Sequence, residues 1–118
     1  MTSRIERARE LQDRTKRFAI AVIQFFSRLP KMEPARILGR QLIRSGTSVA
    51  ANYRAACRAR SAADFISKIS IVAEEADETL FWLELIVESR LVEAKDGRTF
   101  DRRMYRASKD IFCVARDG

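Results

Sequence analysis

Apolar and small residues in the first segment of the chain recur every three or four positions, which is the spacing of one face of an α-helix. Pro30 and Pro34 then bracket a short connection, and Pro34 suits the first turn of a second helix. The pattern therefore predicts a long amphipathic helix over about residues 3–29, followed by a reversal of the chain. Its predicted core stripe is Leu11, Thr15, Phe18, Val22, Phe25 and Leu29.

The second helix is predicted to run through a glycine. Gly46 and its Ser and Thr neighbours are typical turn residues, so a break in the helix at Gly46 is one interpretation. The helical spacing nevertheless continues across this stretch without a change of phase, which favours one helix over about residues 34–57. Gly46 then has a packing role, because a missing side chain lets a neighbouring backbone approach closely. One side of this helix carries Leu38, Leu42, Ser45, Val49, Asn52, Tyr53 and Ala56.

Two further helices complete the pattern. Ser61 and Asp64 resemble a capping box and open a third helix over about residues 62–91. The segment KDGR, residues 95–98, predicts a turn, and a shorter fourth helix follows over about residues 99–115. Four amphipathic helices with short connections predict an all-α fold, an antiparallel up-and-down four-helix bundle that forms a single domain over residues 1–118. The predicted core of the fourth helix is Phe100, Met104, Ala107, Ile111 and Val114.

The composition of the chain limits the kinds of catalytic and metal site that it can form. The chain has 118 residues, 47% of them hydrophobic, and contains no histidine. Ser-His and Cys-His nucleophile systems and histidine-based zinc sites are therefore excluded. Cys57 and Cys113 are isolated in the sequence, which indicates reduced thiols. The chain starts without the apolar run of a signal peptide and has no stretch of about 18 apolar residues, so we expect a cytoplasmic protein that does not enter the membrane.

The basic residues are concentrated in the second helix. The formal net charge is +7, yet residues 34–60 hold six basic and no acidic side chains, whereas residues 61–97 hold nine acidic ones. If the helix is continuous, five arginines share one face opposite the core, and such a stripe could follow the phosphates of a nucleic acid without reading its sequence. These candidate residues are Arg36, Arg40, Arg44, Arg54 and Arg58, and Lys16, Arg17, Arg102, Arg103 and Arg106 could extend the surface.

Two other interpretations of the arginine stripe stay open. It could pair with the carboxylates of residues 61–97, from the same chain or from a neighbouring subunit. It could also be a solvated charged face without a partner.

The third helix carries large residues on a face that would point away from the core of a single bundle. Large aromatic and apolar residues on an outer face indicate a contact between subunits, because monomers rarely expose such patches. Trp82 as a stacking platform for a nucleic-acid base is the alternative. The predicted interface residues are Ile71, Glu75, Glu78, Phe81, Trp82 and Leu85.

The acidic run EEADE, residues 74–78, is the one group of residues that could suggest a metal site or catalysis. Glu74 and Glu78 share a helix face, but no histidine and no second carboxylate-bearing helix is predicted to stand opposite them. We therefore expect no catalytic residue, no metal and no cofactor.

The strings RSGTSVAANYRAA and DFISKISIVAEEADETLFWLEL, within residues 41–91, resemble the signature region of the four-helix bundle proteins encoded in intervening sequences of bacterial 23S rRNA genes. The first helix agrees with that family in pattern only, and the stretch after Arg98 is the least distinctive. The resemblance implies an antiparallel protomer that assembles into a homo-oligomeric ring, a pentamer, without enzymatic activity. A distant relative is the accessory variability protein of diversity-generating retroelements, a basic pentamer that associates with a reverse transcriptase and nucleic acid.

Taken together, these features predict a non-enzymatic oligomeric protein that binds RNA or DNA through its basic face, without sequence preference. The alternative is a protein-interaction adaptor or structural ring whose positive charge engages an acidic protein partner.

Overall fold

Four α-helices, each packed against the next, make up the fold. The computed structural model describes the backbone of residues 3–92 and 94–117, and the side chains of residues 3–92, 103, 104 and 106–115. That part of the chain contains no strand, and α4 returns to touch α1 over a smaller area than the other pairs. The short connections make neighbouring helices antiparallel. In chain order they are α1 (Arg4–Arg28), α2 (Glu33–Ala56), α3 (Ala62–Glu88) and α4 (Ala94–Asp117).

Side chains that bond to free backbone amides define the starts of α1 and α3. The Glu6 amide donates to the Ser3 hydroxyl, and the Ser3 amide donates back to the Glu6 carboxylate, which completes a capping box. At α3 the Asp64 amide donates to the Ser61 hydroxyl at 3.1 Å, as the sequence pattern predicts. Pro34 lies in the first turn of α2, where its missing amide hydrogen costs no helical hydrogen bond.

The reversal between α3 and α4 lies earlier than the sequence predicts. Arg90 has a positive φ of 58°, its amide donates to the Val87 carbonyl, and the Leu91 amide donates to the Ile86 carbonyl. These two bonds form a Schellman motif, which ends a helix and turns the chain. The turn predicted at residues 95–98 is therefore wrong: the chain has already reversed, and those residues belong to α4.

Gly46 lies inside an unbroken α2, which confirms its predicted packing role. A Cβ atom built on Gly46 would stand 2.9 Å from Cγ2 of Val22, and one on Gly39 would stand 2.7 Å from Cδ1 of Leu29. Both positions face α1. The two glycines therefore let α1 and α2 approach more closely than any larger residue would allow.

The core is apolar, with a few hydroxyl groups between the helices. Thr79 of α3 donates to Oγ of Ser45 on α2 at 2.9 Å, and Ser108 of α4 donates to the Ala76 carbonyl of α3. These groups are buried, so each bond fixes the register of two neighbouring helices. The fully or nearly fully buried apolar residues include Val22, Leu42, Val49, Val72, Leu83, Ile86 and Ile111.

One predicted core position of α4 is wrong. Val114 is 43% exposed, and Ala115 beside it is buried instead. The core stripe of α4 consists of Met104, Ser108, Ile111 and Ala115. Hydrophobicity alone favours Val114, because it does not identify a serine as a buried residue. Phe100, another predicted core residue, lies outside the described side chains.

We predict that Gly46→Ala destabilises the protein, although alanine is the better helix former. The added methyl group meets the branched carbons of Val22, which is completely buried and cannot move aside. Overpacking costs about 1–3 kcal/mol and the gain in helix propensity is about 1 kcal/mol, so the expected net loss is about 1 kcal/mol in the free energy of unfolding. Chemical denaturation measures it.

Gly39→Ala is the matched comparison. Its Cβ would meet the ends of the Leu29 and Phe26 side chains, which can rotate away, so we expect a smaller loss than at position 46. In a Val22→Ala background the penalty of Gly46→Ala should disappear. An equal penalty in both backgrounds would contradict the proposed contact.

Candidate nucleic-acid interface

The arginine face of α2 is exposed to solvent for most of its length. Arg36, Arg40 and Arg54 are exposed on the helix, opposite its buried side. Arg58 is exposed as well, but α2 ends at Ala56, so Arg58 lies in the following turn and not on the helix as predicted. The bond from its amide to the Ala55 carbonyl keeps this turn tight and close to the end of the helix.

Arg44 differs from the other four arginines, because it is paired with acidic residues of α3. Its Nη2 atom lies 2.5 Å from Oε1 of Glu78, its Nη1 atom lies 3.8 Å from Oε1 of Glu75, and its Nε donates to Gln41. At Arg44, therefore, the arginine stripe pairs with carboxylates of residues 61–97, which is one of the two alternative interpretations given above. Arg44 therefore belongs to the contact between α2 and α3.

The remaining four arginines make no ion pair with any side chain in the described part of the chain. They form two pairs, Arg36 with Arg40 near the start of α2 and Arg54 with Arg58 at its end. The positive stripe is thus interrupted in the middle, where Arg44 is neutralised.

A groove between α1 and α2 gathers the second pair with residues of α1. It encloses about 410 Å³ and its cationic residues are Lys16, Arg54 and Arg58. Ala50 and Ala51 form part of its lining, and their small side chains keep the helix backbone accessible. The remaining lining residues are Gln12 and Asp13 of α1.

A second basic cleft lies on the other side of α1, against α4. Arg14, Arg103 and Arg106 line about 320 Å³ of space together with Ala107 and Asp110. Arg14 and Asp110 approach to 3.5 Å, and both are well exposed, so this pair contributes little to stability. Of the residues predicted to extend the basic surface, Arg17 is exposed on α1, and the side chain of Arg102 lies outside those described.

Sequence reasoning missed three cleft residues of α1, namely Gln12, Asp13 and Arg14, and it also missed Asp110 of α4. The three residues of α1 lie on different sides of the helix and Gln12 is uncharged, so no stripe was visible in the sequence. Only the positions of α2 and α4 on opposite sides of α1 show that they line two separate clefts.

The stripe predicted as a subunit interface on α3 is partly exposed. Phe81 is 50% exposed and Ile71 is 37% exposed, whereas Glu75, Glu78, Trp82 and Leu85 are half-buried. The Phe81 and Trp82 rings meet edge to face with centroids 5.1 Å apart.

Trp82 is held in place by Glu78. The indole Nε1–H donates to Oε1 of Glu78 at 3.1 Å, and the same oxygen receives the guanidinium of Arg44. The indole is thus bound into the contact between α2 and α3, which disfavours a role as a base-stacking platform.

Glu75 carries an unsatisfied carboxylate oxygen. Its Oε2 atom is buried and has no hydrogen-bond partner, and its side chain is only 16% exposed. Burial raises the pKa of the Glu75 carboxyl above its ordinary value, Glu78 and Glu74 add to the increase, and Arg44 opposes it.

Two negative findings concern metal binding and membrane crossing. Among the described residues, no three acidic or cysteine side chains come together as a metal site. None of the helices in that part of the chain carries an apolar run long enough to cross a bilayer.

Comparisons with known proteins agree with this architecture. The family model described as 23S rRNA-intervening sequence protein matches residues 7–112. The crystal structure of a protein with unknown function from the S23 ribosomal protein family of Bacteroides thetaiotaomicron VPI-5482, at 1.70 Å resolution, is 28% identical in sequence and has a TM-score of 0.77. The match covers 92% of this chain and 97% of that chain. No protein with a curated description matches.

We predict that Glu75→Gln raises the melting temperature at neutral pH by about 2 °C, because the buried position disfavours a charged carboxylate. A raised pKa means that the folded state binds the proton more tightly than the unfolded state. Stability is therefore lost as the pH rises from the ordinary Glu value through the higher folded value. The advantage of the variant should shrink as the pH falls through the raised pKa of Glu75 toward the ordinary Glu value, because wild-type Glu75 then takes up a proton in the folded state.

Thermal unfolding followed by circular dichroism across this pH range checks the expectation. Asp77→Asn is the control, since Asp77 is an exposed carboxylate of the same helix and should change little. A lower melting temperature for Glu75→Gln at neutral pH would mean that attraction to Arg44 outweighs the burial of the charge.

Proposed function

The chain belongs to the family of 23S rRNA-intervening sequence proteins, and on this premise we propose that it is a non-enzymatic protein that binds RNA or DNA without reading the base sequence. The observation that carries the proposal is the set of four arginines on and after α2 that face solvent without a carboxylate partner among the described side chains. They are Arg36, Arg40, Arg54 and Arg58.

The chemistry of these side chains suits phosphate. A guanidinium group is always charged and presents its donors in a fork that matches two phosphate oxygens. Contacts to phosphates position a nucleic acid but carry no sequence information, so binding of this kind is nonspecific. The net charge of +7 adds a long-range attraction for a polyanion.

The competing proposal is an adaptor or structural ring that engages an acidic protein partner. The same exposed arginines would serve it, and the pairing of Arg44 with carboxylates of α3 in the same chain is consistent with it. The descriptions of the family and of the Bacteroides protein name 23S rRNA and a ribosomal protein family, which concern where such proteins are encoded and how they are grouped. We place nucleic-acid binding first because the unpaired guanidinium groups suit phosphate, and we propose that the protein is cytoplasmic.

We predict that the protein binds a fluorescent duplex of random sequence with an affinity that falls linearly with salt concentration on logarithmic axes. Replacing all four unpaired arginines by glutamine should weaken binding at least about tenfold, and the salt slope should fall by about 0.9 for each phosphate that the variant no longer neutralises. Fluorescence anisotropy measures both quantities.

Arg44→Gln is the control for this experiment. Arg44 lies one turn from Arg40 on the same face, but it is already paired, so its replacement should leave the salt slope nearly unchanged. Wild-type protein that fails to bind at moderate salt would exclude nucleic-acid binding and favour the adaptor.

We also propose that the protein assembles into a homo-oligomer, a ring of five subunits, through the exposed part of α3. Phe81 and Ile71 are large apolar side chains left open on one protomer, and their burial in a subunit contact would be favourable. The half-buried Trp82 packs against Phe81 and would give this surface a rigid aromatic centre.

We expect Phe81→Glu to shift the protein from oligomer to monomer in analytical ultracentrifugation, because a charge cannot be buried in an apolar contact without a partner. Ile66→Glu is the matched control, since Ile66 is 64% exposed on α3 but lies outside the predicted interface. Equal assembly of wild type and Phe81→Glu would contradict the proposed interface.

A further inference from the structure

The two basic clefts lie on opposite sides of α1 but at the same level of that helix. Residues 12, 13 and 16 line the groove with α2, and residue 14 lines the cleft with α4. These positions fall within about 6 Å along the axis of α1, because each residue advances a helix by about 1.5 Å. Positive charge from three helices therefore converges on one level of the bundle.

From this arrangement we propose that the ligand is a nucleic-acid double helix whose phosphates are contacted across the helices, from α2 over α1 to α4, and not along α2. The inference rests on the proposed function and specifies its site. We call the surface the transverse belt, and it consists of Lys16, Arg54 and Arg58 in the groove and Arg14, Arg103 and Arg106 in the cleft.

The spacing of unpaired arginines along α2 argues against a ligand that follows this helix. Arg40 and Arg54 are separated by about 21 Å of helix at 1.5 Å per residue. Arg44, between them, is paired with Glu78 and Glu75. A duplex that lay along α2 would place about six base pairs, at about 3.4 Å each, in this interval. The phosphates of those base pairs would meet no unpaired arginine of α2.

The transverse belt has no comparable gap. Three adjacent helices at interaxial distances of about 8–10 Å carry its charges over roughly 20 Å. Its clefts contain six cationic side chains and two carboxylates, Asp13 and Asp110, of which Asp110 pairs with Arg14. Arg17 lies exposed one turn from Arg14 and adds to the same surface.

The lining of the clefts favours a double helix over a single strand. Proteins that hold single strands stack the bases on aromatic rings. The described lining of both clefts contains no aromatic ring; it consists of charged residues, Gln12 and the small residues Ala50, Ala51 and Ala107. Such a surface can contact phosphates, but it offers nothing to unstacked bases.

Three double variants with the same loss of charge test the direction of the contact. They are Arg54→Gln with Arg58→Gln, Arg103→Gln with Arg106→Gln, and Arg36→Gln with Arg40→Gln. For the first two we expect binding of a 30-base-pair duplex to weaken at least about tenfold near 100 mM salt, with a salt slope lower by about 2. The third pair belongs to the four unpaired arginines that carry the proposed function, but it lies outside both clefts. If the contact crosses the helices, this pair acts by long-range attraction only, and its replacement should weaken binding less than about threefold.

Two further measurements complete the test. Asp13→Asn removes the carboxylate from the groove and should tighten binding, a gain that a folding defect cannot imitate. The wild-type protein should bind the duplex more tightly than a single strand of the same length.

The possible failures are distinguishable. If the α4 pair has no effect while both α2 pairs weaken binding equally, the ligand follows α2, and the transverse belt is wrong although the proposed function stands. Tighter binding of the single strand would overturn the proposal that the ligand is a double helix. If the wild-type protein binds neither form, the proposed function itself fails.

Discussion

The close approach of α1 and α2 is the contact on which the rest of the structure depends. At Gly46 the backbone of α2 comes so near to Val22 that even a methyl group would collide with it. Because Val22 is completely buried and branched at Cβ, it acts as a fixed point against which α2 lies. A glycine that elsewhere would weaken a helix here sets the distance between two helices, and α2 stays continuous because packing outweighs the local preference for a turn.

Register is set by a different interaction, the buried hydroxyl groups between α2, α3 and α4. The hydroxyls of Thr79 and Ser45 also bond to carbonyls of their own helices, so the bond between them is an added contact that forms at one relative position of α2 and α3. That position also brings Arg44 against Glu75 and Glu78, and Glu78 in turn accepts from Trp82. The ion pair in the middle of the arginine stripe is thus a consequence of core packing.

This neutralisation shapes the surface available to a partner. The acidic segment of α3 lies beside the basic α2, yet of the arginines of α2 only Arg44 forms an ion pair with these carboxylates among the described side chains. The arginines at the two ends of α2 stay open to solvent, and those at its end join the basic residues of α1. The positive charge of α2 is therefore neutralised at its centre, at Arg44. Positive charge is retained in the two clefts that α1 forms with α2 and with α4.

The amino-acid sequence determined the number of helices, the continuity of α2 and the family, because helical periodicity and the motif around Gly46 are local properties of the chain. It also revealed the arginines and their common face. The turn before α4 was placed wrongly, since Gly97 is a stronger local signal than Arg90, whose left-handed backbone belongs to a Schellman motif seen only in the fold. The pairing of Arg44, the exposure of Phe81 and the two clefts on α1 were decided by tertiary structure alone, because each depends on which helix lies beside another and in what register.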